Sequence, residues 1–183
     1  VLVSPMLPLE RMPAEKKRNI TSLFFDLDGT FVTGSNLSSE SFLSLEKIRK
    51  HGVKTIAVTG RSAGWCDLIA RWWPVDSVVG ENGAFSYSKK ESLIHRMSFH
   101  NLEQHSEYRN RLNQLFRELQ SIFPDIKLAS DQQFRLWDLA IDIAEESTVS
   151  IETSLQIVEY CRDKGARAEI SNIHVNIWFG DYN

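Results

Sequence analysis

The sequence predicts an α/β protein that carries a second, α+β unit. From Thr21 onward, short apolar runs alternate with segments whose apolar residues recur every three or four positions, which is typical of a parallel sheet with crossover helices. After residue 84, strand-like runs occur around two longer helical segments, which favours an antiparallel sheet with helices on one face. The 183-residue chain has 42% hydrophobic and 25% charged residues, a globular composition.

The elements of the first unit are predicted from apolar runs and from the serine, glycine and proline residues that begin and end helices. They are a strand that ends at Asp26, a helix from Ser38 or Ser39 to Gly52, a strand at 53–58, a helix from Ser62 to Pro74 and a strand at 77–79. Strands that alternate with helices in this way predict a parallel sheet.

The second unit is predicted from two amphipathic helices, each followed by a pair of strands. Its elements are strand-like runs at 84–88 and 93–99, a helix at 102–123, strands at 126–129 and 134–143, a helix at 150–164, and strands at 166–170 and 174–179. The repeated order of helix, strand and strand predicts an α+β lid rather than a continuation of the first sheet.

The most informative stretch is FFDLDGT at residues 24–30, where an apolar strand ends in two carboxylates. Open α/β sheets place their chemistry at the carboxyl ends of their strands. Asp26 and Asp28 have the same parity on an extended chain, so both side chains can face one point, and Gly29 allows a sharp turn. The stretch therefore suits a site for a metal ion together with an anion.

This stretch resembles the first motif, DxDGT, of the haloacid dehalogenase-like phosphohydrolases. The run IAVTGR at 56–61 resembles the second motif of that superfamily, and ENGA at 81–84 resembles the NGA stretch of its Cof-type branch. The resemblance implies a Rossmann-like core. Because the α+β unit follows the third strand, it also implies an inserted type 2 cap, as in sugar-phosphate phosphatases and phosphomannomutase.

The resemblance implies a division of the chain into four parts. They are a flexible leader at 1–18, the first part of the core at 19–84, the cap at 85–179 and a linker back to the core at 180–183. The family also needs a lysine and a second acidic motif after the cap, and these are not found before Asn183. We therefore expect the sequence to be part of a longer phosphatase.

The resemblance also implies a role for each motif residue. Asp26 is the nucleophile that forms an aspartyl-phosphate, and Asp28 is the general acid and base. Mg²⁺ is the implied cofactor, with Asp26 and the backbone carbonyl of Asp28 as metal ligands. Thr59 and the Gly60 amide hold the phosphoryl oxygens, next to the positive end of the following helix.

Other polar residues each have two interpretations. Arg61 either steers the substrate or caps local carbonyls, and Asn82 either lies near the substrate or only forms an Asn-Gly turn. His174 and Asn176, with Trp178, share one face of a strand, where they either select the substrate or pack. The same choice applies to the other cap candidates, which are Arg135, Trp137 and Asp138.

Composition excludes several classes of partner. The net charge of -3 and the lack of a long basic block argue against nucleic-acid binding, and no apolar run has the length of a membrane span. Cys66 and Cys161 are far apart, which indicates neither a disulfide framework nor a zinc site and favours a reducing, cytoplasmic setting. The expected partner is a small phosphorylated molecule.

Two functions from different classes are consistent with these observations. The leading hypothesis is a magnesium-dependent phosphatase that acts on a small phosphorylated metabolite, with a sugar phosphate as the substrate class. A sugar phosphomutase is a near variant of it. The alternative is a catalytically incomplete phosphate-binding or assembly module that keeps the DLDGT motif. The sequence does not predict the exact substrate or the oligomeric state.

Overall fold

The computed structural model describes residues 8–34 and 36–182. The start of the predicted leader, residues 1–7, lies outside the described residues. The rest of the leader forms a 3-10 turn at Leu9–Arg11 and a short helix, α1, at Ala14–Arg18, and both are exposed. Two sheets follow, each covered by helices on one face.

The first sheet has five strands in the order β1-β2-β3-β4-β5. Strands β1, β2 and β3 are parallel, whereas β4 and β5 form an antiparallel hairpin at the edge next to β3. The elements of this sheet are β1 (Ser22–Asp26), α2 (Ser39–Lys50), β2 (Lys54–Val58), α3 (Ala63–Trp72), β3 (Ser77–Gly80), β4 (Phe85–Lys90) and β5 (Leu93–Ser98). The predicted α/β class and the parallel strands are confirmed.

The hairpin β4–β5 differs from the prediction. The sequence predicts these strands as part of the cap, whereas β4 pairs with β3 in register from Ser77 opposite Ser88 to Gly80 opposite Phe85. The chain reverses through a 3-10 turn at Glu81–Gly83, so β4 folds back directly onto the strand before it. The first sheet therefore extends to Ser98, and the second sheet is formed by later residues. The division into core and cap domains at residue 85 stays a prediction.

Helices α2 and α3 cover one face of the first sheet. Cys66 and Ile69 of α3 are buried in the same cluster as Ala57 and Val78 of the sheet. The opposite face is exposed at β1, where the side chain of Phe24 is 66% exposed. No strand pairs with the outer side of β1 in the described part of the chain, so β1 is an edge strand, as the sequence predicts for a partial core.

The second sheet has four antiparallel strands in the order β6-β7-β9-β8. Its elements are α4 (Leu102–Ile122), β6 (Lys127–Leu128), β7 (Asp138–Asp142), α5 (Ile151–Asp163), β8 (Arg167–Ile170) and β9 (His174–Trp178). The strand predicted at 134–143 begins four residues later, because residues 132–134 form a 3-10 turn. The predicted α+β arrangement is confirmed.

Local signals explain where the cap helices begin. Asn101 accepts a hydrogen bond from the Gln104 amide, and the Gln104 side chain accepts one from the Asn101 amide, which is a capping box. Ser150 caps α5 through the amide of Thr153. None of the helices in the described residues is long and apolar enough to cross a membrane.

The two faces of the cap sheet have different surroundings. Val175 and Ile177 of β9 pack in the core beneath α4 and α5. The alternate residues His174, Asn176 and Trp178 lie on the other face, which meets the first sheet, and every residue of β9 is buried. The cap therefore covers the carboxyl ends of β1 and β2 with a polar surface.

Replacing Leu45 with Ala is expected to lower the free energy of unfolding by about 2 kcal/mol, because Leu45 is the buried residue that attaches α2 to the sheet. The matched control is Leu43→Ala in the same helix, where the side chain is 50% exposed and a loss below about 0.5 kcal/mol is expected. Urea unfolding followed by circular dichroism measures both. Equal losses would contradict the placement of α2.

Candidate functional site

The site lies where the parallel strands β1 and β2 end side by side. Asp26, the last residue of β1, is in register with Val58, so Thr59 follows immediately beside it. The Asp26 carboxylate is exposed, and its Oδ2 accepts a hydrogen bond of 3.1 Å from Thr30 Oγ1. Thr59 is buried, and its Oγ1 accepts a hydrogen bond of 3.1 Å from the Arg61 amide.

The loop after β1 needs a glycine at position 29. Gly29 has a φ of +77°, in the left-handed region that other residues seldom adopt. A Cβ atom at this position would also lie 3.1 Å from Nδ2 of Asn172 in the cap. The cap thus rests directly on the DLDGT loop, and Gly29 permits both the turn and the close approach.

Four charged or polar side chains form a hydrogen-bond network that runs from the core to the cap. Arg61 pairs with Asp28 through Nη2, at 2.8 Å from Oδ1, and through Nε, at 3.0 Å from Oδ2. Its Nη1 lies 3.2 Å from Glu145 Oε1, and Glu145 Oε2 lies 3.1 Å from His174 Nε2. The hydrogen bond to Asp28 is the main cause that raises the pKa of Arg61, so Arg61 stays a cation between two carboxylates.

Two asparagines close over Gly60. A Cβ atom at Gly60 would lie 3.0 Å from Asn82 Oδ1 and 3.3 Å from Asn176 Nδ2, so glycine leaves the room that both side chains occupy. Asn82 Nδ2 donates to Asp138 Oδ2 at 3.2 Å. Among the described residues, the buried Oδ1 of Asn176 has no hydrogen-bond partner, which leaves one acceptor beside the loop after β2.

The structure brings the residues predicted for the site to one edge of the core and the cap surface above it. These residues are Asp26, Asp28, Thr59, Gly60, Arg61, Asn82, His174 and Asn176. The further cap candidates are buried: Arg135 and Asp138 form an ion pair and contact Gly60 and Asn82 of the site, and Trp137 and Trp178 pack in the hydrophobic cluster of the core. For Trp137 and Trp178 the packing interpretation applies.

Two residues that contact the site from the cap, Glu145 and Asn172, are not predicted from the sequence. Glu145 lies in a loop after β7, 84 residues from the arginine that it binds, and Asn172 precedes β9. No local pattern marks either residue. The signal that could have found them is their position at the ends of cap strands that point toward the core.

The donor set near Asp26 is compatible with a hard cation. Asp26 has one carboxylate oxygen bound to Thr30, whereas the carboxylate of Asp28 is bound to Arg61. Within the described residues, no group of three or more His, Cys, Asp or Glu side chains could hold a metal ion. Mg²⁺ commonly takes one or two protein carboxylates and completes its shell with water and phosphate oxygens, and Asp26 fits that pattern.

The fold and the site define an α/β protein with an acidic loop after its first strand and an α+β cap above it. The family model for haloacid dehalogenase-like hydrolases matches residues 23–130, which is more than half of the chain. The chain belongs to this family. No curated protein matches the sequence.

Solved structures show the same fold at low sequence identity. A protein from Thermoplasma acidophilum superposes with a TM-score of 0.68 at 13% identity, over 90% of this chain and 66% of that one. N-terminally truncated IMP-nucleotidase from Plasmodium falciparum gives 0.60 at 11% identity, over 88% of this chain and 54% of that one. Sucrose-phosphatase from Synechocystis, in complex with sucrose and phosphate, superposes with a TM-score of 0.54 at 18% identity. The match covers 90% of this chain and 66% of that one. The chain therefore spans between half and two thirds of these proteins.

Proposed function

We propose that the chain carries the nucleophile and phosphate-binding part of a magnesium-dependent phosphatase of the Cof-like branch, with a type 2 cap. Its substrate is a small phosphorylated metabolite of the sugar-phosphate class. The observation that carries the proposal is the parallel register that puts Asp26 beside Thr59, with Asp28 and Arg61 paired in the loops just beyond. The family match and the sucrose-phosphatase fold support it.

Asp26 is suited to attack phosphorus because it is an exposed carboxylate with a fixed orientation. Thr30 holds Oδ2, so Oδ1 is the oxygen that forms the new bond to phosphorus as the bond to the leaving oxygen breaks. Asp28 donates a proton to that leaving oxygen. In the second step Asp28 takes a proton from water, the water oxygen bonds to phosphorus, and the Asp26 carboxylate and inorganic phosphate are released.

Proton transfer by Asp28 requires its ion pair with Arg61 to open. Arg61 contacts Glu145 as well as Asp28, so its guanidinium has a second carboxylate beside it when it leaves Asp28. A phosphate group near Thr59 would attract the same guanidinium, since arginine binds phosphate oxygens with two parallel N–H groups. Substrate binding and release of Asp28 are therefore coupled through one arginine.

Mg²⁺ would be held by Asp26 and the backbone carbonyl of Asp28, as the family resemblance implies. When bound, it neutralises charge between the phosphate and the nucleophile, whose repulsion is about 4 kcal/mol at 4 Å and an effective dielectric of 20. The chain itself contributes the Thr59 hydroxyl and the Arg61 guanidinium to the same task.

The cap residues above the site can select the leaving group. His174, Asn176, Asn172 and Glu145 present hydrogen-bonding groups, and the Oδ1 of Asn176 is buried without a partner among the described residues. Such a surface suits the hydroxyl groups of a sugar, because a buried acceptor gains most when a ligand donor reaches it. These contacts support a sugar phosphate over an apolar phosphate ester.

The proposal is tested with the longer phosphatase of which the sequence is expected to be a part, purified and incubated with a panel of hexose, pentose and disaccharide phosphates, with and without Mg²⁺. We expect magnesium-dependent release of inorganic phosphate from at least one sugar phosphate. Chromatography of the remaining sugar phosphates detects a mutase, which would yield an isomer without phosphate release. Saturable phosphate binding with neither product would contradict the phosphatase and favour the binding module.

A further inference from the structure

A cluster of charged side chains is buried between the two sheets, outside the proposed catalytic residues. Arg135 is central, and its side chain has no exposed surface. It donates to Asp138 at 3.0 Å and to Asp131 at 2.9 Å. The Glu81 side chain is also fully buried. Groups of this kind are costly to bury without partners, so their arrangement must be held by the contacts that they make.

Arg135 reaches from the cap into the loop that holds Thr59. Its Nη1 donates to the carbonyl oxygen of Gly60 at 3.0 Å. The amide on the other side of that same peptide unit belongs to Arg61, and it donates to Thr59 Oγ1 at 3.1 Å. Because a peptide unit is planar, holding its carbonyl oxygen also fixes the direction of its N–H group. Arg135 therefore sets the orientation of the Thr59 hydroxyl through one peptide plane.

Glu81 anchors the segment that carries Arg135. Its carboxylate accepts hydrogen bonds from three consecutive cap amides, those of Leu136 at 2.9 Å, Trp137 at 2.5 Å and Asp138 at 3.1 Å. The same carboxylate accepts one from the Ala63 amide at 2.9 Å, at the start of α3 in the core. One side chain thus joins the cap segment to the helix that follows the Thr59 loop.

The turn at Glu81 is built to make these contacts. Glu81 and Asn82 have φ values of +44° and +59°, in the left-handed region that disfavours residues with a Cβ atom. Both side chains of this turn bind the cap, since Asn82 donates to Asp138 at 3.2 Å. Strain of this kind persists where surrounding contacts determine the conformation, which these bonds do.

We propose that Arg135 is a positioning residue for the phosphate site, which aims the Thr59 hydroxyl by holding the Gly60–Arg61 peptide, and that Glu81 anchors it there. The inference rests on the proposed function for the role of Thr59 in phosphate binding. The orientation of the peptide itself does not rest on it. Arg135 touches no reacting atom, so it acts through Thr59.

The test compares Arg135→Met with a matched control, Arg109→Met, in the full chain. Arg109 Nη1 also donates to Asp138, at 3.0 Å from its backbone carbonyl oxygen, but that contact lies within the cap. Hydrogen exchange of the Arg61 amide measures the positioning directly. We expect exchange at least about tenfold faster in Arg135→Met and unchanged in Arg109→Met, because the peptide loses the bond that holds it.

Phosphate binding and turnover give the second readout. Titration with inorganic phosphate in the presence of Mg²⁺ is expected to show binding weakened about tenfold in Arg135→Met, the effect of one lost charge-assisted hydrogen bond acting through Thr59. With p-nitrophenyl phosphate, kcat is expected to fall at least as much as KM rises. A structural role alone would lower the amount of folded protein but would leave kcat per folded molecule unchanged.

A charge-balanced variant replaces Arg135→Met in these measurements if that variant does not fold. Arg135→Met combined with Asp138→Asn removes one cation and one anion together, and it is measured if Arg135→Met alone does not melt cooperatively. Unchanged exchange of the Arg61 amide in a folded variant overturns the inference. If the wild-type protein binds no phosphate, the proposed function fails, whereas the exchange measurement still decides whether Arg135 holds the peptide.

Discussion

Replacing Asp26 with Asn is expected to lower kcat by about 10⁴-fold, because a carboxamide does not attack phosphorus to form the acyl-phosphate. The substitution keeps the size of the side chain. The carboxamide oxygen can still accept the hydrogen bond from Thr30, so the loop after β1 keeps its conformation. Phosphate release from the best sugar phosphate of the panel, at saturating Mg²⁺, measures the loss.

The control for this variant is Asp163→Asn, which removes an exposed carboxylate at the end of α5, far along the chain from the site. Its kcat is expected to equal that of the wild-type protein. Rapid acid quench followed by peptide mass spectrometry should place the phosphoryl group on Asp26. Full activity in Asp26→Asn, or a phosphoryl group on another residue, would refute the assignment of the nucleophile.

The elements with strong periodicity are those that the sequence predicted best. The helix predicted at 102–123 is α4, Leu102–Ile122, and the strand predicted at 174–179 is β9, His174–Trp178. The sequence predicts both strands of the hairpin β4–β5 but not their pairing with β3 in the first sheet. Alternation of side chains predicts a strand, but the partner of that strand depends on contacts that only the folded chain makes.

The site was predictable where its residues are close together in sequence. Asp26 and Asp28 follow one strand, and the family resemblance links them to Thr59. The residues that connect the site to the cap were not predictable in this way. Glu81 stands in the ENGA stretch that drew attention to Asn82, yet the four amides that bind its carboxylate belong to two other segments of the chain.

The cap candidates show the limit of period-two reasoning most clearly. His174, Asn176 and Trp178 share one face of β9, as alternation predicts. His174 lies against Glu145 at the site, whereas Trp178 packs in the hydrophobic cluster of the core. A common face does not give common surroundings, because the core covers one end of the strand with polar loops and the other with aromatic side chains.

The contribution of Glu81 to the free energy of unfolding is expected to fall by about 3 kcal/mol as the pH rises from 4.5 to 7. Burial, and then the charge of Asp138, raise the pKa of Glu81 from 4.5 to about 7. The backbone N–H donors of Trp137, Leu136 and Ala63 lower this pKa, but by less than burial raises it. The folded protein therefore binds this proton more tightly than the unfolded chain. The stabilisation that this proton contributes is fully present below pH 4.5. It is lost as the pH rises through 7, at about 1.36 kcal/mol per pH unit.

The measurement is the difference in free energy of unfolding between the wild-type protein and Glu81→Gln, from urea unfolding at pH 4.5, 6 and 8. Glutamine does not ionise, so the difference reports Glu81 together with the Asp138 carboxylate that interacts with it. It cancels carboxylates such as Asp76 and Asp142, whose lowered pKa values act at lower pH. The control is Glu159→Gln on the exposed side of α5, for which the difference in free energy of unfolding is expected to be the same at all three pH values. A Glu81 difference that rises with pH would mean that the N–H donors outweigh burial and that this carboxylate is an anion throughout the range.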